Sequence, residues 1–567
     1  MYLGLNTYSH DSSACLIDEN GKIIAAVEEE RFTSKKHEDA FPVNSIKYCL
    51  KEAGITSQDI KGIAIAWHPR EMLFMRMIKE FIFEYHVPWK VFKNSLRKFW
   101  KSLFLKSDFE KYIGKLNTNV AVRYYKHHHA HVASAFYASG FDEATFFTLD
   151  GRGEYEVGIW GKIDYKNGVN QIGSLHHPNS LGNLWGAVSE YCGFLPGWAK
   201  AGTTMAFAAL GRPKYMKEFE KMITFKPEND SNWFVTDTKY FDNRDGAGHV
   251  TPVFEDFFGE KSCEHGQDKE IHRDIAATLQ VFTEKVILEK LAEVYKRTQQ
   301  SNLVMAGGVC LNSVVNALIL EKSAFKDLFI QPASHDAGLS IGSAYLLQQE
   351  FNVGKKPGQM RNAYLGPEYS DDEIINALGL HKDEVSFTKE DAIHEKVATL
   401  LNNGKIVACF QGRLEYGPRA LGSRSILAPA VENSMVERLN KIKQRESFRP
   451  FAISILEEYK NDWLVHGYIS PFMLIVESIK SDLREKVPAA QHVDGTVRTQ
   501  TINESDNGLY FKLLRAYHAL SGTPLFINTS FNIKGRPIVL SPDDALKAFL
   551  EVDIDVLAIG SYLVSRK

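Results

Sequence analysis

The first half of the chain runs through one pattern twice, and few folds accommodate that. An apolar strand over Met1–Asn6 enters the polar turn Thr7–Ser12, then a strand over Ala14–Ile17, an Asn20-Gly21 turn and a strand over Lys22–Val27. Ala144–Leu149, the turn Asp150-Gly151-Arg152-Gly153, Val157–Ile163 and Asn167-Gly168 repeat the order. Asn-Gly suits a type I′ hairpin, whose two central residues need positive φ. Two hairpins, each entered through a polar Gly/Asp/Ser turn, predict a nucleotide-gripping fold with two similar halves. Coincidence between common turns is the alternative.

A helical repeat of apolar residues follows over Asp274–Lys296. Leu303–Ala306 reads as a buried strand entering Gly307-Gly308, with helix resuming from Leu311. Leu328–Gln331 is the next strand, Ser334–Gly338 a loop and Leu339–Leu347 a helix. Strand, glycine loop and helix in succession aim backbone N–H groups at a phosphate or nucleotide. The Gly-, Lys- and Pro-rich segment Asn352–Gly366 reads as a linker. At 567 residues with 44% hydrophobic content, at least two domains are expected.

His127 and His131 lie four apart in His-His-His-Ala-His, so both side chains face one side of a helix. Such a pair can bind one divalent metal. Asp150 and Asp336 would complete an N₂O₂ set, suited to Fe(II), Mn(II) or Zn(II). Convergence of these four is not legible from spacing, and in a chain with 19 histidines a structural pair is the competing reading.

A second concentration of chemistry lies between residues 411 and 452. Arg413, Arg419, Arg424, Lys441, Lys443, Arg445 and Arg449 stand among glycines, prolines and aromatics, against Glu415, Glu432, Glu437 and Glu446. Guanidinium forks match phosphate or carboxylate oxygens in pairs. This clustering predicts a closed pocket for a small, multiply charged anion; a scattered surface run of charge is the plainer reading. Further on, Gly522–Asn532 is expected to be a strand entering an amide- and hydroxyl-rich turn.

A net charge of −3 gives no electrostatic case for nucleic acid. Six separated cysteines without a C-x-x-C pair suggest a reducing compartment. With neither a secretion signal nor an apolar run of about eighteen residues, a soluble, cytoplasmic protein is expected. Trp89–Lys106 stands apart: six Lys or Arg and no acid, interleaved with aromatic and aliphatic residues. That pattern fits a basic amphipathic helix for a membrane surface or a polyanion. A helix packing its aromatic face on the core, lysines in water, is the other reading.

Ordered motifs extend over nearly the whole chain: G-L-N-T-Y-S-H-D-S-S-A-C-L, E-E-E-R-F-T-S-K-K-H-E-D-A-F-P, H-H-H-A-H-V-A-S-A-F, L-D-G-R-G-E, A-G-G-V-C-L-N, Q-G-R-L-E-Y-G-P-R-A-L-G, K-Q-R-E-S-F-R-P-F-A, H-V-D-G-T-V-R-T-Q and N-T-S-F-N. Together they resemble the O-carbamoyltransferases of the nodulation and antibiotic-tailoring type. The resemblance implies an α/β architecture: an N-terminal actin-like (ASKHA) duplicated domain over 1–352, followed by a YrdC-like α/β domain over 353–567. It implies ATP with Mg²⁺, carbamoyl phosphate and one divalent metal, iron(II) placed ahead of Mn²⁺ and Zn²⁺. The C-terminal domain would make carbamoyladenylate, and the N-terminal domain would pass its carbamoyl group to a hydroxyl of a small molecule or saccharide.

Carried onto matching positions, Lys443, Arg449, Arg498 and Ser530, with Arg419 and Asn528 nearby, correspond to carbamoyl-phosphate or ATP ligands. His127, His131, Asp150 and Asp336 correspond to metal ligands. Asp150-Gly151, Gly307, Gly308 and Asn312 correspond to nucleotide-loop residues, and His10 and Lys36 to catalytic positions. His10 is the candidate base for the acceptor hydroxyl, with a buried structural role as its alternative. Where the family pattern is E-x-K-x-M-G-L-A, this chain reads A-G-T-T-M-A-F-A over Ala201–Ala208, so Ala201 and Thr203 replace the acid and the lysine, with Lys200 adjacent. That bears on acceptor binding. N-carbamoylation of a macromolecule and a non-catalytic ATP-binding scaffold are the alternative functions.

Overall fold

The doubled pattern of the sequence becomes two sheets of the same construction. The computed structural model describes residues 1–71, 73–74, 89–263 and 268–567. In the first half-pattern β1 (Tyr2–Asn6), β2 (Ser13–Ile17), β3 (Ile23–Glu28), β4 (Gly62–Ile65) and β5 (Ala121–Tyr124) line up as β3-β2-β1-β4-β5. In the second, β6 (Glu143–Leu149), β7 (Glu156–Asp164), β8 (Gly168–His176), β9 (Asn302–Ala306) and β10 (Asp327–Ile330) line up as β8-β7-β6-β9-β10. Each sheet has an antiparallel meander on one side of its first strand and parallel strands on the other. This is the duplication into two similar halves that the sequence predicts.

The hairpin turns differ from expectation. Gly21 and Gly168 take positive φ (80° and 67°), but neither Asn20 nor Asn167 does, so the turns are not type I′. The aspartate ending the strand organises each instead. Asp18 accepts the N–H groups of Asn20 and Lys22 at 2.8 and 2.9 Å, and Asp164 those of Lys166 and Asn167 at 2.8 and 2.7 Å. A carboxylate satisfying two turn amides permits a longer loop with one left-handed residue.

Helices α1 (Trp89–Leu103), α2 (His127–Ser139), α3 (Ser313–Lys322) and α4 (Leu339–Phe351) belong to this unit. The close seating of α4 depends on glycine. A Cβ on Gly342 would lie 1.8 Å from the Ala130 carbonyl oxygen of α2, and one on Gly4 would lie 1.9 Å from that of Ser340. These contacts bring the start of α4, which carries Asp336 just before it, close to α2.

The chain divides into two compact units: Met1–Glu29 with Glu38–Met360, and Glu30–His37 with Arg361–Lys567. The second unit is an α/β domain, as expected, with a nine-stranded mixed sheet between helical layers. Its strands are β11 (Val385–Lys389), β12 (Val407–Phe410), β13 (Arg424–Ala428), β14 (Ala452–Leu456), β15 (Ile475–Ser478), β16 (Thr496–Ile502), β17 (Leu525–Ser530), β18 (Val556–Ile559) and β19 (Tyr562–Arg566). They stand in the order β11-β19-β18-β12-β13-β17-β14-β16-β15. Alternate residues separate two cores. Val407, Cys409, Leu427 and Phe526 pack under helices Ile393–Asn402 and Glu504–Ser521. Ala408, Phe410, Ile426 and Ile527 pack under helices that include α5 (Ser434–Lys443). Such period-two burial is what a sheet covered on both faces requires.

Candidate functional sites

Four sequence-predicted ligands converge in the first unit. The side chains of His127, His131 and Asp336 are essentially shielded from solvent and that of Asp150 is 12% exposed. One donor atom from each lies within 4.8 Å of all the others. His127 Nε2 stands 3.1 Å from Asp150 Oδ2 and 3.7 Å from Asp336 Oδ1; His131 Nε2 stands 3.5 and 3.7 Å from the same oxygens. His131 Nε2 and both Asp336 carboxylate oxygens are buried without a hydrogen-bond partner. Burying polar atoms unsatisfied is costly, so this donor set fits a divalent metal.

The surroundings hold these groups in place. Glu154, itself buried, accepts the His127 N–H at 3.1 Å and the His68 N–H at 2.8 Å, capping the start of α2 with negative charge. Burial raises the Glu154 carboxyl above its ordinary value, and the partnered groups oppose that. Gly307 has φ of 100°, and the Gly308 N–H donates to Asp150 Oδ1 at 3.1 Å, leaving Oδ2 toward the histidines. Burial opposes ionisation of Asp150, yet His127 and His131 hold it well below the usual carboxylate range. Burial likewise opposes protonation of His131, but Asp150 and Asp336 raise it to about 9 in the metal-free state. Between them, His128 is structural, contacting Thr148 Oγ1 at 2.9 Å and the Glu156 carbonyl at 3.0 Å.

Of the other nucleotide-loop candidates, Gly151 follows Asp150 directly, and Asn312 lies at the start of α3. A Cβ on Gly151 would come 3.6 Å from Asn183 Oδ1. Asn312 caps α3 through Val315 N–H at 3.2 Å and donates to Gln280 at 3.0 Å, so its amide already serves the fold.

His10 stands at the same centre. Its Nε2 is 3.6 Å from Asp336 Oδ2 and its Nδ1 2.8 Å from Asp11 Oδ2, with the side chain 45% exposed. Burial would depress its pKa, but Asp336, Asp11 and Asp150 raise it to about 9. Tyr8 and Asp11 in this turn both have φ of 60°, unusual for residues with a Cβ, and Asn6 Nδ2 ties down the carbonyls of His10 and Asp11. Trp198 meets the His10 ring at 5.6 Å and lines a cavity of about 490 Å³ with Glu190, Leu195, Pro196 and His249. Helix Ala201–Ala208 follows, with Thr203 buried.

The basic residues of the second unit fall into two sets. Arg413 donates to the carbonyls of Leu365 and Gly366, at 2.7 and 3.2 Å. Arg424 is fully buried, donates to the carbonyls of Gln411 and Pro367, and stacks 3.6 Å above Phe410. Both arginines cross-link backbone, and Lys441 is exposed. These three correct the reading of one seven-residue anion pocket, because carbonyls at chain turns also recruit guanidinium groups.

The other set faces itself. Arg498 on β16 is driven well below its ordinary pKa by burial and then by Arg419, Arg445 and Arg449. Arg419 is lowered to about 10 by burial and Arg449, and Lys443 well below its ordinary value by burial, Arg445, Lys36 and Arg449. Arg419 Nε and Arg498 Nε are buried without an acceptor, while Arg449 has Glu446 at 3.7 Å. Lys443 Nζ donates to the Ser530 carbonyl and Asn532 Oδ1, both at 2.6 Å, which fixes the β17 turn against α5. Asn528 is buried in β17, bonded to Ser454 and Gln500, with its Oδ1 unsatisfied. Concentrated cation with unfilled bonding capacity suits an anion.

Lys36 belongs to the segment 30–37 of this second unit, and His10 to the first. Sequence reading missed Glu154 as a support of His127, although it closes the L-D-G-R-G-E motif. It also left Arg445 out of the ligand set; Arg445 adds charge beside Lys443, while its guanidinium bonds Asn440 Oδ1 and the Arg449 and Pro450 carbonyls at 3.1, 3.1 and 3.2 Å and stacks on Phe451 at 4.0 Å.

Likeness to known proteins spans both units. Residues 1–345 match the Carbamoyltransferase N-terminus family and residues 398–566 the Carbamoyltransferase C-terminus family. These matches make the chain a transferase by class. The uncharacterized protein sll1178 of Synechocystis is 35% identical, covering 100% of this chain and 96% of that protein. Nodulation protein NolNO of Sinorhizobium fredii is 31% identical over 99% of this chain and 80% of its own length. Nodulation protein NolO of Bradyrhizobium diazoefficiens is 32% identical, over 78% and 79% respectively. The chain belongs to the carbamoyltransferase family.

Proposed function

We propose that this carbamoyltransferase activates carbamate with ATP and passes it to a hydroxyl. Carbamoyl phosphate and water give carbamate and phosphate. A carbamate oxygen then attacks the α-phosphorus of ATP, forming carbamoyladenylate and releasing pyrophosphate. The acceptor oxygen finally attacks the carbamoyl carbon, loses its proton and releases AMP. The observation that carries the first steps is the cluster of Arg419, Lys443, Arg445, Arg449 and Arg498, all lowered in pKa by burial and all but Arg449 also by neighbouring cations. A polyanion offsets that repulsion, and fixed cations stabilise charge developing on phosphoryl oxygens. Asn528 and Ser530 would bond the same ligand, and Lys36 adds to the positive field acting on Lys443.

The transfer step is assigned to the first unit. His127, His131, Asp150 and Asp336 would hold one divalent ion, iron(II) placed ahead of manganese and zinc, and when bound it supplies Lewis acidity toward a carbonyl or phosphate oxygen. Gly151, Gly307, Gly308 and Asn312 form the loops beside Asp150 where a nucleotide would lie. His10 would take the acceptor proton in its neutral form, which a cation held by Asp336 and Asp150 would favour by offsetting the carboxylates that raise its pKa. The cavity beside Trp198 is where a hydroxylated small molecule or saccharide would enter. Mg²⁺ would accompany ATP.

The test is pyrophosphate release by purified protein given ATP, Mg²⁺ and carbamoyl phosphate, beside an Arg449→Ala control. Release that requires carbamoyl phosphate and is lost in the control is expected. Its absence from folded, metal-loaded protein, with and without candidate acceptors, would sink the proposal.

A further inference from the structure

Helix α1 has two faces of different character. Leu96, Phe99 and Ser102, three apart, turn inward; Ser102 is buried, as are Leu105 and Phe109 in the following helix. The Ser102 carbonyl accepts the Tyr124 hydroxyl at 2.9 Å, anchoring the helix to β5. Lys93, Arg97, Trp100 and Phe104 follow one another at helical spacing on the other side, all exposed. Trp100 is 52% exposed, Leu103 49% and Phe104 59%. Side chains at 89–92, 94, 95 and 98, which include Trp89, Lys90, Phe92 and Lys98 of the sequence pattern, lie outside the described residues. Packing on the core therefore accounts for Leu96 and Phe99, and leaves Trp100, Leu103 and Phe104 unexplained.

An exposed surface at the end of α1 that joins tryptophan, leucine and phenylalanine to exposed Lys93, Arg97 and Lys106, in a segment without an acidic residue, matches one occupant by charge and polarity. We infer that α1 seats the protein on an anionic lipid surface. The aromatic and aliphatic side chains enter the boundary between headgroups and acyl chains, and the basic ones sit at the phosphates. A soluble polyanion would use the charges and could stack on a ring, but it offers no apolar phase that takes up Trp100, Leu103 and Phe104 together. Among the described residues no helix is long and apolar enough to cross a membrane, so the contact is peripheral.

The test is co-sedimentation of the full chain with phosphatidylcholine vesicles, with and without phosphatidylglycerol. Binding to the anionic vesicles and not to the neutral ones is expected. Two basic residues near such a surface contribute enough that Lys93→Gln with Arg97→Gln weakens binding about 30-fold. Trp100→Ser, Leu103→Ser and Phe104→Ser together weaken it by more, with the melting temperature unchanged because these side chains are exposed. Binding to neither vesicle, equal binding to both, or a triple variant that binds as well as the parent overturns the inference. So does retention on immobilised heparin without vesicle binding, which assigns the face to a soluble polyanion. The readout does not involve pyrophosphate, so it stands or falls apart from the proposed reaction.

Discussion

Replacing Arg498 by methionine removes one charge from the cationic cluster and keeps most of the side chain's volume. Neighbouring charges in a shared site, about 6–8 Å apart at an effective dielectric near 20, repel by about 2–3 kcal/mol per pair. Arg498 is opposed by Arg419, Arg445 and Arg449, and its buried Nε bonds to no acceptor, so little attraction is lost with it. Arg498→Met should therefore stabilise the ligand-free protein, by about 2 kcal/mol after lost packing is allowed for. In a unit of this size that raises the melting temperature by about 4–8 °C. The same change removes a fixed cation from the anion site and should lower kcat/KM for pyrophosphate release about 100- to 1000-fold. Scanning calorimetry without ligand, repeated with carbamoyl phosphate, separates the effects: the variant melts higher alone and gains less from the ligand. A variant that melts lower than the parent without ligand refutes the argument from mutual repulsion. Stability exchanged for function in this way is expected where a site stores unfavourable electrostatics.

Lys443 predicts a coupled proton. Its native pKa lies below the ordinary lysine range, so between the two the unfolded chain holds more protons and ligand-free stability rises with pH. A bound polyanion reverses the shift, and calorimetric titration with inorganic phosphate in buffers of different ionisation enthalpy should report proton uptake; net release would contradict it. The metal centre predicts the opposite coupling: with His131 held near 9, binding displaces its proton, and affinity increases as pH rises toward that value. His131→Ala should lose more than the roughly 10- to 100-fold in affinity that removal of an outer supporting residue costs. Elemental analysis showing one equivalent of metal retained by that variant would remove His131 from the ligand set.

The sequence determined more of the secondary structure than of the chemistry. Period-two apolar runs, glycine loops and the repeated strand–turn order were enough to place β1–β3, β6, β7, β9 and β10, because local burial patterns leave few alternatives. The spacing of His127 and His131 on one helix face was also local, and so was the density of arginine before Arg449. Local rules failed where a side chain at a strand end took over a turn, as Asp18 and Asp164 do in place of type I′ geometry. Only the tertiary structure decided which residues meet. Asp150 and Asp336 reach the histidines because two strand ends and a glycine-seated helix bring them there, and Arg424 leaves the anion site because its guanidinium finds buried carbonyls. Lys36 joins the second unit though it lies near the chain's start. Convergence of groups distant in sequence depends on packing, and no spacing along a chain encodes it.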